Sequence, residues 1–179
     1  MTSLEIRLSG SGGQGIITAG IILAEAALLD SKNALQSQSY GPEARGGASK
    51  AEVIISDDDI DYPKVTAPQI LLALTSQAYD SYKAGVVADG IVLVDSSISA
   101  VATGEQKLYS LPILATAHEQ FRPVVANIIA LGAMAKLTGC VTLESLERAV
   151  LARVPKGTEE MNRKALTAGV ELAEKHMVA

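Results

Sequence analysis

At 179 residues, 48% of them hydrophobic but only 3% aromatic, the chain is long enough to bury a full core as one domain, 1–179, without metal or disulfide staples. A formal charge of −5 and a pI near 5.0 leave no basic face to neutralise phosphates along a strand, which sets nucleic acid aside as a partner. The single cysteine, Cys140, excludes an intrachain disulfide and a four-thiolate cluster within the chain, and the expected setting is cytoplasmic.

With no Trp and one Phe, the core must be built from Ala, Val, Ile and Leu. No basic segment followed by an apolar run opens the sequence, so no signal peptide is expected. The longest apolar stretch, Ile16 to Leu29, is too short to span a bilayer and is interrupted by Glu25, so no membrane association is expected either.

In chain order, Leu4 to Leu8 reads as a strand, followed by a glycine-rich turn and a helix from about Gln14 to Leu29 that ends near Asp30, Ser31 and Lys32. Asn33 to Gln38 reads as a second strand and Ala51 to Ser56 as a third. The loop between them, Ser39 to Lys50, is too short for a crossover helix, so these strands are either antiparallel neighbours or not adjacent. Ile70 to Leu74 and Ile91 to Asp95 are continuous apolar runs, as in strands covered on both faces, with a crossover helix from Ser76 to about Val86. Tyr109 to Leu114 is predicted as an edge strand, because Pro112 has no N–H for a central ladder.

Pro123 suits the first turn of a helix running through Asn127 to Leu137. Ala126, Ala130, Gly132, Ala133 and Ala135 give it a small surface that suits a close neighbour or a ligand, and Gly139 ends it. Thr142 is a candidate N-cap, with Val141 and Leu146 placed as a hydrophobic staple, for a helix to about Val154. Thr158 opens the last helix, with Met161, Ala165, Ala168 and Leu172 on one face. The expected fold is α/β: a single-domain three-layer sandwich with a mostly parallel, Rossmann-like sheet and helices on both faces.

Two loops carry the chemistry. Gly10, Gly12 and Gly15 match G-x-G-x-x-G, with Gly13 between them, after a predicted strand and before a predicted helix. Gly10, Ser11, Gly12, Gly13, Gln14 and Gly15 would then turn tightly and aim the unpaired amides of a helix N-terminus at a phosphate or carboxylate. A dinucleotide site further requires an acid at the end of the second strand to hold the ribose; that strand ends in Gln38 and Ser39. A P-loop requires Lys-Ser/Thr after the last glycine, where Ile16 and Ile17 stand. NAD and ATP both lose ground.

The second loop, Gln36 to Gly47, reads QSQSYGPEARGG. Gly41, Gly46 and Gly47 permit backbone angles closed to other residues and Pro42 stiffens the turn, so Ser39, Tyr40, Glu43 and Arg45 are presented on a defined scaffold. Arg45 either meets a carboxylate or phosphate bidentately or locks the loop against Glu43. Asn127, opening the small-residue helix, is either a buried hydrogen-bonding post or a ligand contact. Asp57, Asp58, Asp59 and Asp61 lack the glycine and glutamate of a calcium loop and read as a solvated cluster, so no metal site is expected. His118 beside Glu119 has no visible catalytic partner, no catalytic residue is assigned, and Cys140 reads as a small buried hydrophobe.

The pairing of GSGGQGIITAGIILAEAA with QSQSYGPEARGGASKAEVIIS resembles the gamma subunit of 2-oxoacid:ferredoxin oxidoreductases, most closely the 2-oxoglutarate type. The two motifs cover residues 8–56, and IDYPKV and NIIALGA resemble the rest of the same domain. Indolepyruvate enzymes share a similar glycine loop with a different second motif; branched-chain 2-oxoacid and pyruvate enzymes are the nearer alternatives. A stand-alone phosphoanion- or nucleotide-binding module is the alternative of a different class. The resemblance implies a subunit, inactive alone, of an enzyme that converts 2-oxoglutarate, coenzyme A and oxidised ferredoxin to succinyl-CoA, carbon dioxide and reduced ferredoxin. It implies that thiamine diphosphate, magnesium and iron–sulfur clusters sit in partner chains, that ferredoxin is met through the complex, and that the two glycine-rich loops face the thiamine-bearing subunit, closing its site or cradling coenzyme A phosphates. One cysteine cannot ligate a cluster, in keeping with that division of labour.

Overall fold

The computed structural model describes residues 3–39 and 48–178. Its sheet has six strands: β1 (Leu4–Ser11), β2 (Asn33–Gln38), β3 (Ala48–Ser56), β4 (Ile70–Ala73), β5 (Ile91–Asp95) and β6 (Lys107–Leu111), in the order β2-β3-β1-β4-β5-β6. β3 runs antiparallel to both β2 and β1, and the pairs β1–β4, β4–β5 and β5–β6 are parallel. The two readings left open for the Asn33 and Ala51 segments thus resolve as antiparallel neighbours, with Gln36 opposite Val53. The expected mostly parallel α/β sandwich is the one found.

Among the described residues the α-helices are α1 (Ile16–Leu29), α2 (Ser76–Tyr82), α3 (Ile113–Gln120), α4 (Ala126–Thr138), α5 (Leu143–Arg153) and α6 (Glu159–Val178). They load the two faces unequally. Ile6, Leu8, Val53, Ile70, Leu72 and Leu93 point to a large core shared with α1, α4, α5 and α6. Their strand neighbours Leu71, Ala73, Val92 and Val94 point the other way, to a smaller cluster closed by Ala78 and Tyr79 of α2. Each such fully buried Leu or Ile contributes roughly 1.5–3 kcal/mol of transfer free energy, so stability is concentrated on the thicker side. Toward β3 the thinner face turns polar: Arg7 donates to Glu52 at 2.9 Å and stacks 5.4 Å from the centre of the Tyr82 ring.

Several ends have specific causes. α1 closes without a glycine: Ser31 takes φ of 60°, and the Lys32 N–H returns to the Ala27 carbonyl at 3.0 Å. The Asp30 carboxylate beside it accepts from the Thr142 N–H at 2.7 Å and from the Thr142 and Ser145 hydroxyls at 2.6 Å each, tying the end of α1 to the start of α5. Thr142 is the expected N-cap, its hydroxyl accepting from the Ser145 N–H at 3.2 Å. Gly139, at φ 64°, ends α4 as expected.

The segment predicted as a strand from Tyr109 to Leu114 divides instead. β6 stops at Leu111, and Pro112 occupies the N-cap of α3, its carbonyl accepting from the Thr116 N–H at 3.1 Å. The Leu114 N–H is satisfied by Asp95, buried at the end of β5, at 2.8 Å. His118 and Glu119 lie exposed on this helix. The helices α4 and α6 cross backbone to backbone: a Cβ on Gly132 would fall on the Leu166 carbonyl, and one on Gly169 on the carbonyl of Ile129. The small surface of α4 therefore serves a close neighbour.

Candidate functional site

The glycine loop joins the end of β1, an interior strand of the sheet, to the start of α1. Ser11 ends β1, Gly13 takes φ of 86° and Gly15, at the N-cap of α1, φ of 71°, both left-handed values that favour glycine. Gln14 folds back, its Oε1 accepting from the Ser11 N–H at 2.7 Å in the space where a Gly10 Cβ would stand. Gly10 is therefore glycine for close approach, whereas Gly12 and Gly13 have open space beside them. Because Gly15 has no side chain, no cap closes over the first turn of α1, and its amides keep the positive end of the helix dipole free.

Asn127 is buried and bonded as a post would be, its Nδ2 donating to the Gly15 carbonyl at 3.1 Å and its Oδ1 accepting from the Ile128 N–H at 2.9 Å, and it also lines a cleft. A Cβ on Gly15 would collide with Asn127. Gly13, Gly15 and Asn127 are the expected site residues that come together, on one wall of a half-open cleft of about 230 Å³. Gly10, Ser11, Gly12 and Gln14 shape the turn from behind it. Ser39 lies past the end of β2, its N–H 3.4 Å from the Lys50 carbonyl. Tyr40, Gly41, Pro42, Glu43, Arg45, Gly46 and Gly47 lie outside the described residues.

The facing wall was not anticipated. It comes from the turn between α5 and α6, where Arg153, Val154, Pro155, Thr158, Met161 and Asn162 line the cleft. Thr158 donates from its hydroxyl to the Pro155 carbonyl at 2.6 Å, and Asn162 Nδ2 donates to the Thr158 carbonyl at 2.9 Å, which stiffens the turn. The signal that points to it is Asn162 itself, an amide on the core-facing stripe of α6 and only 5% exposed. The buried stripe is Asn162, Ala165, Leu166, Ala168 and Ala173; it contains Ala165 and Ala168 of the expected stripe, whose Met161 and Leu172 are only partly buried. Arg153 is held by Glu25 of α1, Nε to Oε1 at 3.0 Å, and this pair raises the guanidinium pKa further. Electrostatically the described cleft is thus neutral: polar from Thr18, Asn127, Thr158 and Asn162, apolar from Ile22, Val125, Ile128 and Met161.

Among the described residues no group of three or more His, Cys, Asp or Glu could hold a metal ion, and no helix is long and apolar enough to cross a membrane. Of the acidic cluster, Asp57 pairs with Lys32 at 2.6 Å. Cys140 is buried, and burial pushes its thiol pKa up.

Known proteins share this arrangement from end to end. The gamma subunit of a keto/oxoacid ferredoxin oxidoreductase from Geobacter sulfurreducens superposes with a TM-score of 0.90 at 50% identity, covering 98% of both chains. The 2-oxoglutarate synthase subunit KorC of Methanocaldococcus jannaschii is 54% identical over 95% of this chain and 94% of its own. The pyruvate/ketoisovalerate oxidoreductases common subunit gamma of Pyrococcus abyssi is 33% identical over 90% and 92%. The family profile described as pyruvate ferredoxin/flavodoxin oxidoreductase matches residues 5–172. The glycine loop and every residue that lines the cleft fall within that match, and the chain belongs to this family, as a subunit of an oxidoreductase of the 2-oxoacid:ferredoxin class.

Proposed function

We propose that this chain is the gamma subunit of a cytoplasmic 2-oxoglutarate:ferredoxin oxidoreductase. The assembly converts 2-oxoglutarate and coenzyme A to succinyl-CoA and carbon dioxide and passes the electrons to ferredoxin. The observation that carries the substrate assignment is the gradient of similarity, from 54% to a 2-oxoglutarate synthase subunit down to 33% to a subunit shared by pyruvate and ketoisovalerate enzymes.

Thiamine diphosphate with its magnesium and the iron–sulfur clusters belong to partner chains, since one buried thiol offers no cluster site. This chain supplies a binding surface. The uncapped first turn of α1, framed by Gly10, Ser11, Gly12, Gly13, Gln14 and Gly15, offers amide donors to a coenzyme A phosphate. To the second loop, Ser39, Tyr40, Gly41, Pro42, Glu43, Arg45, Gly46 and Gly47, we assign a further contact with the same ligand, Arg45 supplying a cation for its phosphates. Asn127 acts by holding Gly15 in place.

The test is anaerobic purification of the assembly with this chain, followed by turnover with a panel of 2-oxoacids. The expected result is co-purification with thiamine- and cluster-bearing chains and the highest kcat/KM for 2-oxoglutarate. Preference for pyruvate or a branched-chain acid removes the substrate assignment. Arg45→Ala is expected to raise the KM for coenzyme A or lower turnover, and an unchanged profile removes the role given to that loop.

A further inference from the structure

The geometry points to the cleft between the glycine loop and the Val154–Asn162 turn as the seat of a slender, uncharged, amide-bearing arm, with Asn162 Oδ1 accepting the arm's N–H. The inference rests on the function proposed above, under which the arm is the pantetheine of coenzyme A.

The first observation is the state of Asn162. Both bonds of its Nδ2 go to Thr158, to the carbonyl at 2.9 Å and to the hydroxyl at 3.1 Å. The Thr158 carbonyl fixes which end of the amide is the donor, since a carbonyl only accepts. Oδ1 accepts nothing from the described residues. It is not sealed in as a buried orphan, because no buried side-chain N or O atom among them lacks a partner. A residue only 5% exposed therefore presents a free acceptor to the cleft it lines. A guest that closes over this oxygen and displaces water must bring a donor, an N–H or an O–H, and the amide N–H groups of the proposed arm supply one.

The second observation is what the cleft excludes. At this end of the cleft an anion meets the acceptor Asn162 Oδ1, and Nε and Nη2 of Arg153 are committed to Glu25. Phosphate is thereby directed to the glycine-loop end, and the remainder of the same ligand to the neutral part. A volume of about 230 Å³ is below the roughly 300–1,000 Å³ of pockets that enclose whole drug-sized ligands. It suits one arm of a larger ligand, whose methylenes and methyl groups meet Ile22, Val124, Val125, Ile128 and Met161. A purine edge offers adjacent donor and acceptor atoms, which an amide reads with both ends; Asn162 has only one end to offer.

The test uses the assembled oxidoreductase. Coenzyme A is compared with two analogues, each methylated on one pantetheine amide nitrogen. Methylation at one of the two positions is expected to raise KM about tenfold with kcat little changed, the loss of one hydrogen bond to a buried group. Asn162→Ala is expected to raise the KM for coenzyme A by a similar factor and to abolish the difference between it and that analogue. If Asn162→Ala does not assemble, Val124→Trp at the cleft mouth, where Val124 is 63% exposed, is expected to abolish the same difference. Methylation penalties that persist unchanged in the assembling variant overturn the inference while leaving the proposed function standing. An Asn162 effect that vanishes when 4′-phosphopantetheine replaces coenzyme A assigns the cleft to the adenine and also overturns it. Absence of any coenzyme A-dependent turnover removes the proposed function, and the inference with it.

Discussion

The side-chain amide of Asn127 donates to the carbonyl oxygen of Gly15, 112 residues earlier, across 3.1 Å, so the first turn of α4 holds the hinge of the glycine loop in its left-handed conformation. Gly15→Ala must both adopt φ near 71° and push its Cβ into Asn127. The left-handed backbone alone costs about 1–3 kcal/mol for such a residue. The expected outcome is a loss of at least that much stability in chemical denaturation, and more than the loss caused by Gly12→Ala, where the added methyl meets open space.

Asn127→Ala should cost about 1–3 kcal/mol, since it leaves the buried Ile128 N–H without its acceptor and removes the second of the two donors to the Gly15 carbonyl, which keeps only the Ala19 N–H. If Asn127 acts only as a post, the loss in stability should exceed any direct effect on ligand affinity. A fall in affinity measured on well-folded protein, with unfolding free energy unchanged, would reverse that assignment.

The crossing of α4 and α6 predicts an intolerance specific to two positions. Gly132→Ala and Gly169→Ala each place a methyl on a carbonyl oxygen of the opposite helix, and the helices must separate to admit it. Each is expected to lower stability by about 1–3 kcal/mol or more, as overpacked cores do. The double variant should cost less than the sum, because one separation relieves both clashes. Thermal unfolding of the set measures it. Additive losses would mean that the two contacts yield independently.

Asp30 gives a pH signature. Its partial burial raises the carboxyl pKa, but hydrogen bonds from the Ser145 and Thr142 hydroxyls and the Thr142 N–H, with the charge of Lys32, bring it below the ordinary 3.8. A carboxyl lowered by folding contributes stability that is complete above the ordinary value and is lost as pH falls through the lowered folded one. Asp30→Ala should therefore be less stable than the parent protein at neutral pH, by about 1–2 kcal/mol, of the order of a lost helix cap. The gap should narrow as pH drops below 3.8. A gap that stays constant through acid would assign the effect to packing.

Cys140 should be inert to alkylation in the native protein, since burial both hides the thiol and raises its pKa, and the thiolate is the reactive form. Labelling is expected only on the timescale of unfolding, with a rate that rises with denaturant. Rapid labelling in native buffer would contradict the burial.

The first half of the fold was legible because its signals are local. A strand, a glycine turn and an apolar helix follow one another from Leu4 to Leu29, and the short connection after Gln38 excludes a crossover helix. α3 was not legible, because what starts it is remote: the Leu114 N–H finds its acceptor on Asp95, at the end of another strand. The site divided in the same way. Gly13, Gly15 and Asn127 could be nominated from their residue types, whereas the facing wall depends on how the Pro155–Thr158 turn folds against α1. Asn162 stood among apolar neighbours on its helix face, and such a polar residue on a buried stripe is the trace that sequence reading passed over.

The fastening of α1 bears on how the cleft works. Asn127 holds its beginning, Arg153 grips Glu25 along its length, and Asp30 binds Thr142 and Ser145 at its end. The glycine loop and the α5–α6 turn are thereby parts of one rigid frame, and the space between them exists before any guest arrives. A ligand entering it loses its own freedom but has little of the protein's left to freeze, so selection there falls on shape and hydrogen-bond polarity rather than on the energy of closing a lid.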